Sequence, residues 1–231
     1  MWGGSHLYIA IDGPAGAGKS TVARMLAGKL KIGYLDTGAM YRAVTLKILQ
    51  AGTQIEDREA LAGLLENTII DIQAEEDRQR IFLDGEEVTE AIRAPGVNTV
   101  VSQVSAIPIV REYLVRQQQE IARRWGDVVM DGRDIGTVVL PDAEYKIYLD
   151  ASPEERVKRR WKEYLGKGCS ITADEVRQEI TRRDKIDSGR EVSPLKAAPG
   201  AMVLDTTKMT LPEVVSTMVA YVRGEKKHET R

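Results

Sequence analysis

A chain of 231 residues with 42% hydrophobic and 29% charged side chains suits one globular core and excludes a fibrous or disordered polymer. Lys and Arg number 33 against 35 Asp and Glu, so the net charge of −2 offers no basic field for nucleic acid or an anionic membrane. The single cysteine, Cys169, excludes an internal disulfide, and two histidines near opposite ends, His6 and His228, exclude a protein-ligated zinc site. Met1 to His6 shows no basic region followed by an apolar stretch, so no secretory signal is expected. No apolar run approaches the ~20 residues of a membrane span. These features predict a cytoplasmic protein. No residual amphipathic surface stands out, which predicts a monomer, and the charged tail Gly224 to Arg231 is expected to fray.

In chain order, the apolar run Leu7 to Ile11 predicts a buried strand, and Val22, Met25, Leu26 and Leu30 share one face of a helix over 20–30. Between them lies Gly13-Pro14-Ala15-Gly16-Ala17-Gly18-Lys19-Ser20. Strand, glycine-rich turn, Lys-Ser and helix form the context of a phosphate-binding loop. Glycines let successive N–H groups converge on one anion, and the helix N-terminus adds free donors and partial positive charge. The pattern predicts that the chain binds a nucleoside triphosphate, with Lys19 on the β- and γ-phosphates and the Ser20 hydroxyl on Mg²⁺.

Tyr34-Leu35 predicts a second strand, followed by Asp36-Thr37-Gly38 and a helix over 39–50. Backbone donors and a hydroxyl again face a sheet edge, and Arg42 could clamp a phosphate. Taken alone, the segment fits helix capping by Asp36 or Thr37 better. Residues 67–93 break the alternation: Asp84-Gly85 between short apolar runs predicts a hairpin and a small antiparallel insert. A helix is predicted over 97–124, then a strand at Val128 to Met130.

Asp131-Gly132-Arg133-Asp134-Ile135-Gly136-Thr137 follows that strand. An acid closing a buried strand is the usual place for a carboxylate near a metal, which makes Asp131 a candidate beside Ser20. An Arg–Asp bridge that merely holds the loop fits the segment equally well. Further strands are predicted at 145–149 and 202–204, with helices over 153–165, 174–186 and 212–223. In the first of these helices Arg156, Arg159 and Arg160 share one face. Taken alone, with Glu154, Glu155 and Glu163 nearby, they fit a solvated face better; the functional alternative is a closing lid that brings cations and excludes water.

Strands separated by helices predict an α/β fold: a parallel five-stranded sheet flanked by helices, with the antiparallel β insert and a short helical lid. The ligand crevice is then expected beyond the carboxyl ends of the strands, near the loop after Ile11, Asp36, Asp131 and Asp205. One domain is expected over 1–231, with 67–93 as the core of the insert and 153–170 as the lid.

With these segments in this order, and with Ser102-Gln103-Val104 and Arg183-Asp184 through Arg190, the chain resembles the bacterial-type cytidylate kinases from about Leu7 to Arg223. These belong to the nucleoside monophosphate kinase group of P-loop proteins. The phosphate loop is generic; Asp36 to Arg42 and Asp131 to Thr137 together are specific. The resemblance implies transfer from ATP to CMP or dCMP with Mg²⁺, in pyrimidine nucleotide metabolism, and no nucleic-acid or membrane partner. It places ATP against Gly13, Pro14, Ala15, Gly16, Ala17, Gly18, Lys19, Ser20 and Thr21. It places CMP against Thr37, Tyr41, Arg42, Ser102, Arg111, Arg133, Asp134, Arg183, Asp187 and Arg190. Ser102, Arg111 and Asp134 would read the base, Asp187 and Arg190 the sugar, and Arg42, Arg133 and Arg183 the acceptor phosphate. Lys19, Arg156, Arg159 and Arg160 would act on the phosphoryl group in transfer. Thr37 stands where some relatives carry serine, and the hydroxyl survives. A kinase for another acceptor is separated from this expectation by a substrate panel. A nucleotide-gated switch would need Asn-Lys-x-Asp, and the nearest string, Asp184-Lys185-Ile186-Asp187, lacks the Asn.

Overall fold

The computed structural model describes residues 6–75 and 79–225. The expectations for Met1 to Ser5, for His228 with the tail from 226, and for positions 76–78 of the insert lie outside the described residues.

The chain divides into two compact units, one built from 1–34 and 126–231, the other from 35–125. In the first, β1 (Tyr8–Asp12) lies between β6 (Val128–Gly132) and β7 (Tyr145–Asp150), and β8 (Met202–Asp205) pairs with β7, all in parallel. With β2 (Gly33–Asp36) the sheet order is β2-β6-β1-β7-β8. Every residue of β1 and β6 is buried, as expected of parallel strands covered on both faces, whose sequences read as continuous apolar runs. Helix α1 (Lys19–Leu30) packs on β6 and on α8 (Leu211–Val222). Ile9, Ile11, Leu26, Val129, Ile147, Leu149, Val215 and Met218 form the resulting core. A second cluster joins α6 (Pro153–Gly166) and α7 (Ala173–Gly189): Val157, Val176 and Ile180 close around Ala15 of the phosphate loop. That packing places both helices against the loop.

The second unit holds α2 (Thr37–Ala51), α3 (Arg58–Glu66), α4 (Pro95–Val104), α5 (Pro108–Trp125) and a three-stranded antiparallel sheet. Its strands β3 (Ile70–Ala74), β4 (Gln79–Leu83) and β5 (Glu86–Glu87) pair in sequence order. Asp84 and Gly85 turn between β4 and β5 at φ 52° and 88°, the doubly left-handed conformation that Asp-Gly suits. The helix predicted over 97–124 is two helices, because Pro108 has no N–H to donate and its ring disfavours helical geometry in the preceding residue. At the break Ala106 and Ile107 close short turns onto Gln103 and Val104. Helix α3, capped by Asp57 through the Ala60 N–H, was not predicted.

Candidate active site

The phosphate loop runs from β1 to α1, as its sequence context requires. At Gly13, φ is 151° and a Cβ would collide with the Leu149 carbonyl, so no other residue fits. Gly18, at φ 88°, forms the N-cap of α1 and leaves the first N–H groups of the helix without a side-chain cap. Lys19 bends back so that Nζ donates to the Pro14 carbonyl at 2.8 Å. Burial pushes the Lys19 ammonium down to about 7; Arg133 and Arg183 push the same way, against the pull of Asp131 and Asp187. The loop is a cationic cradle at the N-terminus of α1. Ser20 and Thr21 are exposed on the first turn of α1.

Ser20 Oγ donates to Asp131 Oδ2 at 2.9 Å, and the Tyr34 hydroxyl donates to Asp131 Oδ1 at 2.8 Å. Hydroxyl and carboxylate oxygens side by side form the hard donor set that Mg²⁺ prefers, so these residues fit the ion. No group of three or more His, Cys, Asp or Glu side chains able to hold a metal occurs among the described residues.

The three arginines of α6 diverge. Arg156 Nε donates to the Ala151 carbonyl and Nη1 to the Ala15 carbonyl, while Nη1 also pairs with Asp184 of α7. Asp184 accepts from the Ala15 N–H at 3.0 Å. One ion pair thus holds both polar groups of Ala15. Arg159 donates to the Ala17 carbonyl, to Thr206 Oγ1 and to the Thr206 carbonyl. Its Nη1 lies 3.9 Å from where a Cβ on Gly18 would sit. Arg160 turns to α7 and to its own helix, pairing with Glu163 and Glu179 and stacking 4.5 Å over the Tyr164 ring.

In the same unit Arg133 Nε donates to Asp187 Oδ2 at 2.7 Å, and Arg190 pairs with Asp187 Oδ1 at 3.1 Å. Burial would raise Asp187, but Arg133, Arg190 and Arg183 overcome it and hold the carboxyl below its usual range. Arg183 is itself depressed, first by burial and then by Arg133, and pairs with Glu179 at 3.6 Å. Asp134 is buried, and its carbonyl accepts from the Val138 and Val139 N–H groups. Asp205, expected at the crevice, is exposed and accepts from its own turn at Thr207.

The second unit gathers another set. Arg111, 2% exposed, donates to the Ser105 carbonyl, and its guanidinium sits 5.5 Å over the Tyr41 ring. Ser105 in turn donates to the carbonyl of buried Ser102. Arg42 donates to Asn98 Oδ1 at 2.7 Å. Thr37 is buried at the start of α2, and Asp36 caps that helix through the Ala39 N–H at 3.0 Å. Asp12, Tyr34, Asn98 and Thr206, which bond to candidate residues or to the backbone beside them, are not singled out by the sequence pattern as candidates. Only Asp12 had a sequence signal, a charged residue closing an apolar strand, the same signal that singled out Asp131.

The sequence profile of the family described as cytidylate kinase matches residues 9–224. The chain belongs to the cytidylate kinase family. It is 51% identical over 216 residues to the cytidylate kinase of Carboxydothermus hydrogenoformans, covering 94% of this chain and 97% of that one. It is 53% identical over 213 residues to the cytidylate kinase of Bacillus pumilus, covering 92% of this chain and 94% of that one. A crystal structure of an uncharacterized protein from Eubacterium ventriosum superposes with TM-score 0.53 at 12% identity, covering 95% and 99% of the two chains. At that identity the likeness shows the fold alone. The phosphate loop and the Asp131 strand of this cytidylate kinase family member are therefore set in an architecture that extends beyond close relatives.

Proposed function

We propose that the protein transfers the γ-phosphoryl group of ATP to CMP or dCMP, giving ADP and CDP or dCDP, in pyrimidine nucleotide metabolism. The observation that carries this is the phosphate loop between β1 and α1, with Lys19 folded onto it and the first N–H groups of α1 uncapped, in a chain of the cytidylate kinase family. Lys19 of the phosphate loop is buried under the opposing fields of Arg133 and Arg183, the arginines assigned to the acceptor phosphate. Cations whose fields act on one another, with Asp131 and Asp187 beside them, suit a site where two phosphate groups meet.

The acceptor phosphate is already an anion, so no strong general base is needed, and catalysis rests on position and charge. Backbone N–H groups of the loop and Lys19 bind the donor phosphates. Arg42, Arg133 and Arg183 hold the acceptor phosphate, while Asp187 and Arg190 take the sugar. Arg156, Arg159 and Arg160 belong to a lid over 153–170 that shields the transferring group from water. Mg²⁺, held through Ser20 and Asp131, would supply further neutralisation of the triphosphate.

Ser102, Arg111 and Asp134 read the base. Cytosine presents an amine beside two acceptors; a carboxylate suits the amine, and a guanidinium and hydroxyl suit the acceptors. Uracil would set a carbonyl against the carboxylate, which predicts roughly 10- to 100-fold discrimination. The same reading takes the enzyme as a cytoplasmic monomer with one kinase domain and no nucleic-acid or membrane partner. Net charge −2 supports this, and no helix among the described residues is long and apolar enough to cross a membrane.

The test is coupled ADP release with Mg-ATP and CMP, dCMP, UMP, AMP, GMP or shikimate. Fast turnover with CMP and dCMP and slow turnover with UMP is expected. Preference for another acceptor would overturn the base assignment, and no phosphorylation at all would overturn the kinase reading.

A further inference from the structure

Strand β1 is apolar until its last residue. Tyr8, Ile9, Ala10 and Ile11 are buried core, and then Asp12, 3% exposed, ends the strand one residue before the phosphate loop. A carboxylate in such a place is costly unless its oxygens are satisfied. Both are: Oδ1 accepts from the Ile135 N–H and Oδ2 from the Gly136 N–H, each at 2.8 Å. These amides open a single turn of π-helix, Ile135–Val139, a rare geometry that needs outside support. Asp134 immediately precedes the turn, and its carbonyl receives the Val138 and Val139 N–H groups. One carboxylate thus ties the start of the phosphate loop to the backbone that carries Arg133 and Asp134.

We propose that Asp12 is a positioning residue for acceptor selectivity: by gripping the Ile135 and Gly136 amides it sets the backbone of Asp134, and so the enzyme's preference for cytosine over uracil. The proposal rests on Asp134 reading the base. The grip needs two acceptors. Burial lifts Asp12 to about 6 against the opposing pull of the two amides, so at neutral pH it is mainly an anion that accepts on both oxygens. Asparagine would keep one acceptor and turn an amine toward a buried N–H.

The experiment compares the CMP-to-UMP ratio of kcat/KM, and KM for ATP, in the wild type, Asp12→Asn and Asp134→Asn. Asp12→Asn is expected to lower the ratio about fivefold, in the direction of Asp134→Asn, with KM for ATP little changed. A ratio unchanged in Asp12→Asn but lowered in Asp134→Asn overturns the proposal and leaves Asp12 a purely stabilising residue. A ratio unchanged in Asp134→Asn overturns the base assignment, and the proposal with it. If Asp12→Asn does not fold, Gly136→Ala decides. Its Cβ would meet the Ala198 Cβ at 3.1 Å and the Lys146 stem at 3.4 Å, shifting the same segment while Asp12 stays intact. A lowered ratio in Gly136→Ala supports the proposal, and an unchanged one overturns it.

Discussion

In the phosphate loop, charge is buried and spent on backbone. Lys19 and Arg156 are both under 10% exposed, and each donates to loop carbonyls. In the small antiparallel sheet, charge stays near water: Arg80 of β4 pairs with Glu75 and Glu87 and lies 5.0 Å over the Phe82 ring, all at partly exposed positions. The sheet is held instead by its alternate apolar residues, Ile70, Ile72, Ile81 and Leu83, each under 9% exposed. Exposed ion pairs contribute little because water competes for both partners, whereas buried ones cost desolvation and persist only where they are fully engaged. A buried cation is therefore the more informative feature of the two regions.

The largest expected effect follows from that contrast. Lys19→Met should lower turnover by roughly 10²- to 10⁴-fold with the fold intact, by steady-state kinetics and circular dichroism. The ligand-free variant should also be more stable than the wild type. Because Lys19 is depressed from 10.5 to about 7 in the fold, its charged form costs stability fully below about pH 7, and the cost fades as pH rises toward 10.5. Melting in phosphate-free buffer should therefore show the stabilisation of Lys19→Met largest near neutral pH and gone by about pH 10.5. Equal stability at all pH values, or near-normal turnover, would break the comparison.

Next comes the grip on Ala15. Asp184→Ala leaves Arg156 without its carboxylate and the Ala15 N–H without its acceptor, and should cost about 2–3 kcal/mol by chemical denaturation. KM for ATP should rise about tenfold as the loop loses its preset shape. Asp184→Asn, which keeps an acceptor, should recover part of both.

The sheet should behave in the opposite way. Ile81→Ala, at a 2% exposed position, should cost about 2–4 kcal/mol in stability with kcat within about twofold of wild type. Arg80→Ala should be the mildest, with unchanged turnover and a melting shift smaller than that of Ile81→Ala. A loss of turnover in Arg80→Ala would break the contrast.

Much of this was legible in the sequence because the signals are local. The strands reveal themselves as apolar runs, α2 begins at a capping residue, and the phosphate loop is eight consecutive residues at a strand-to-helix junction. The break between α4 and α5 is legible too, in Pro108, which disfavours helical geometry in the residue before it. The common helix face of Arg156, Arg159 and Arg160 was read correctly from spacing, yet spacing could not say that the three guanidinium groups would find different partners.

The phosphate loop, the parallel α/β arrangement, the hairpin at Asp84-Gly85 and the family can be read along the chain, since each depends on residues close together or on their order. Which charges are buried and what they hold is set by packing across the fold: Asp12 on the amides of Ile135 and Gly136, Asp184 and Arg156 on Ala15, Tyr34 on Asp131. Those partners lie from 97 to 169 residues apart. Burial and hydrogen bonding at such separations arise when strands are ordered in the sheet, and no short stretch of sequence encodes them.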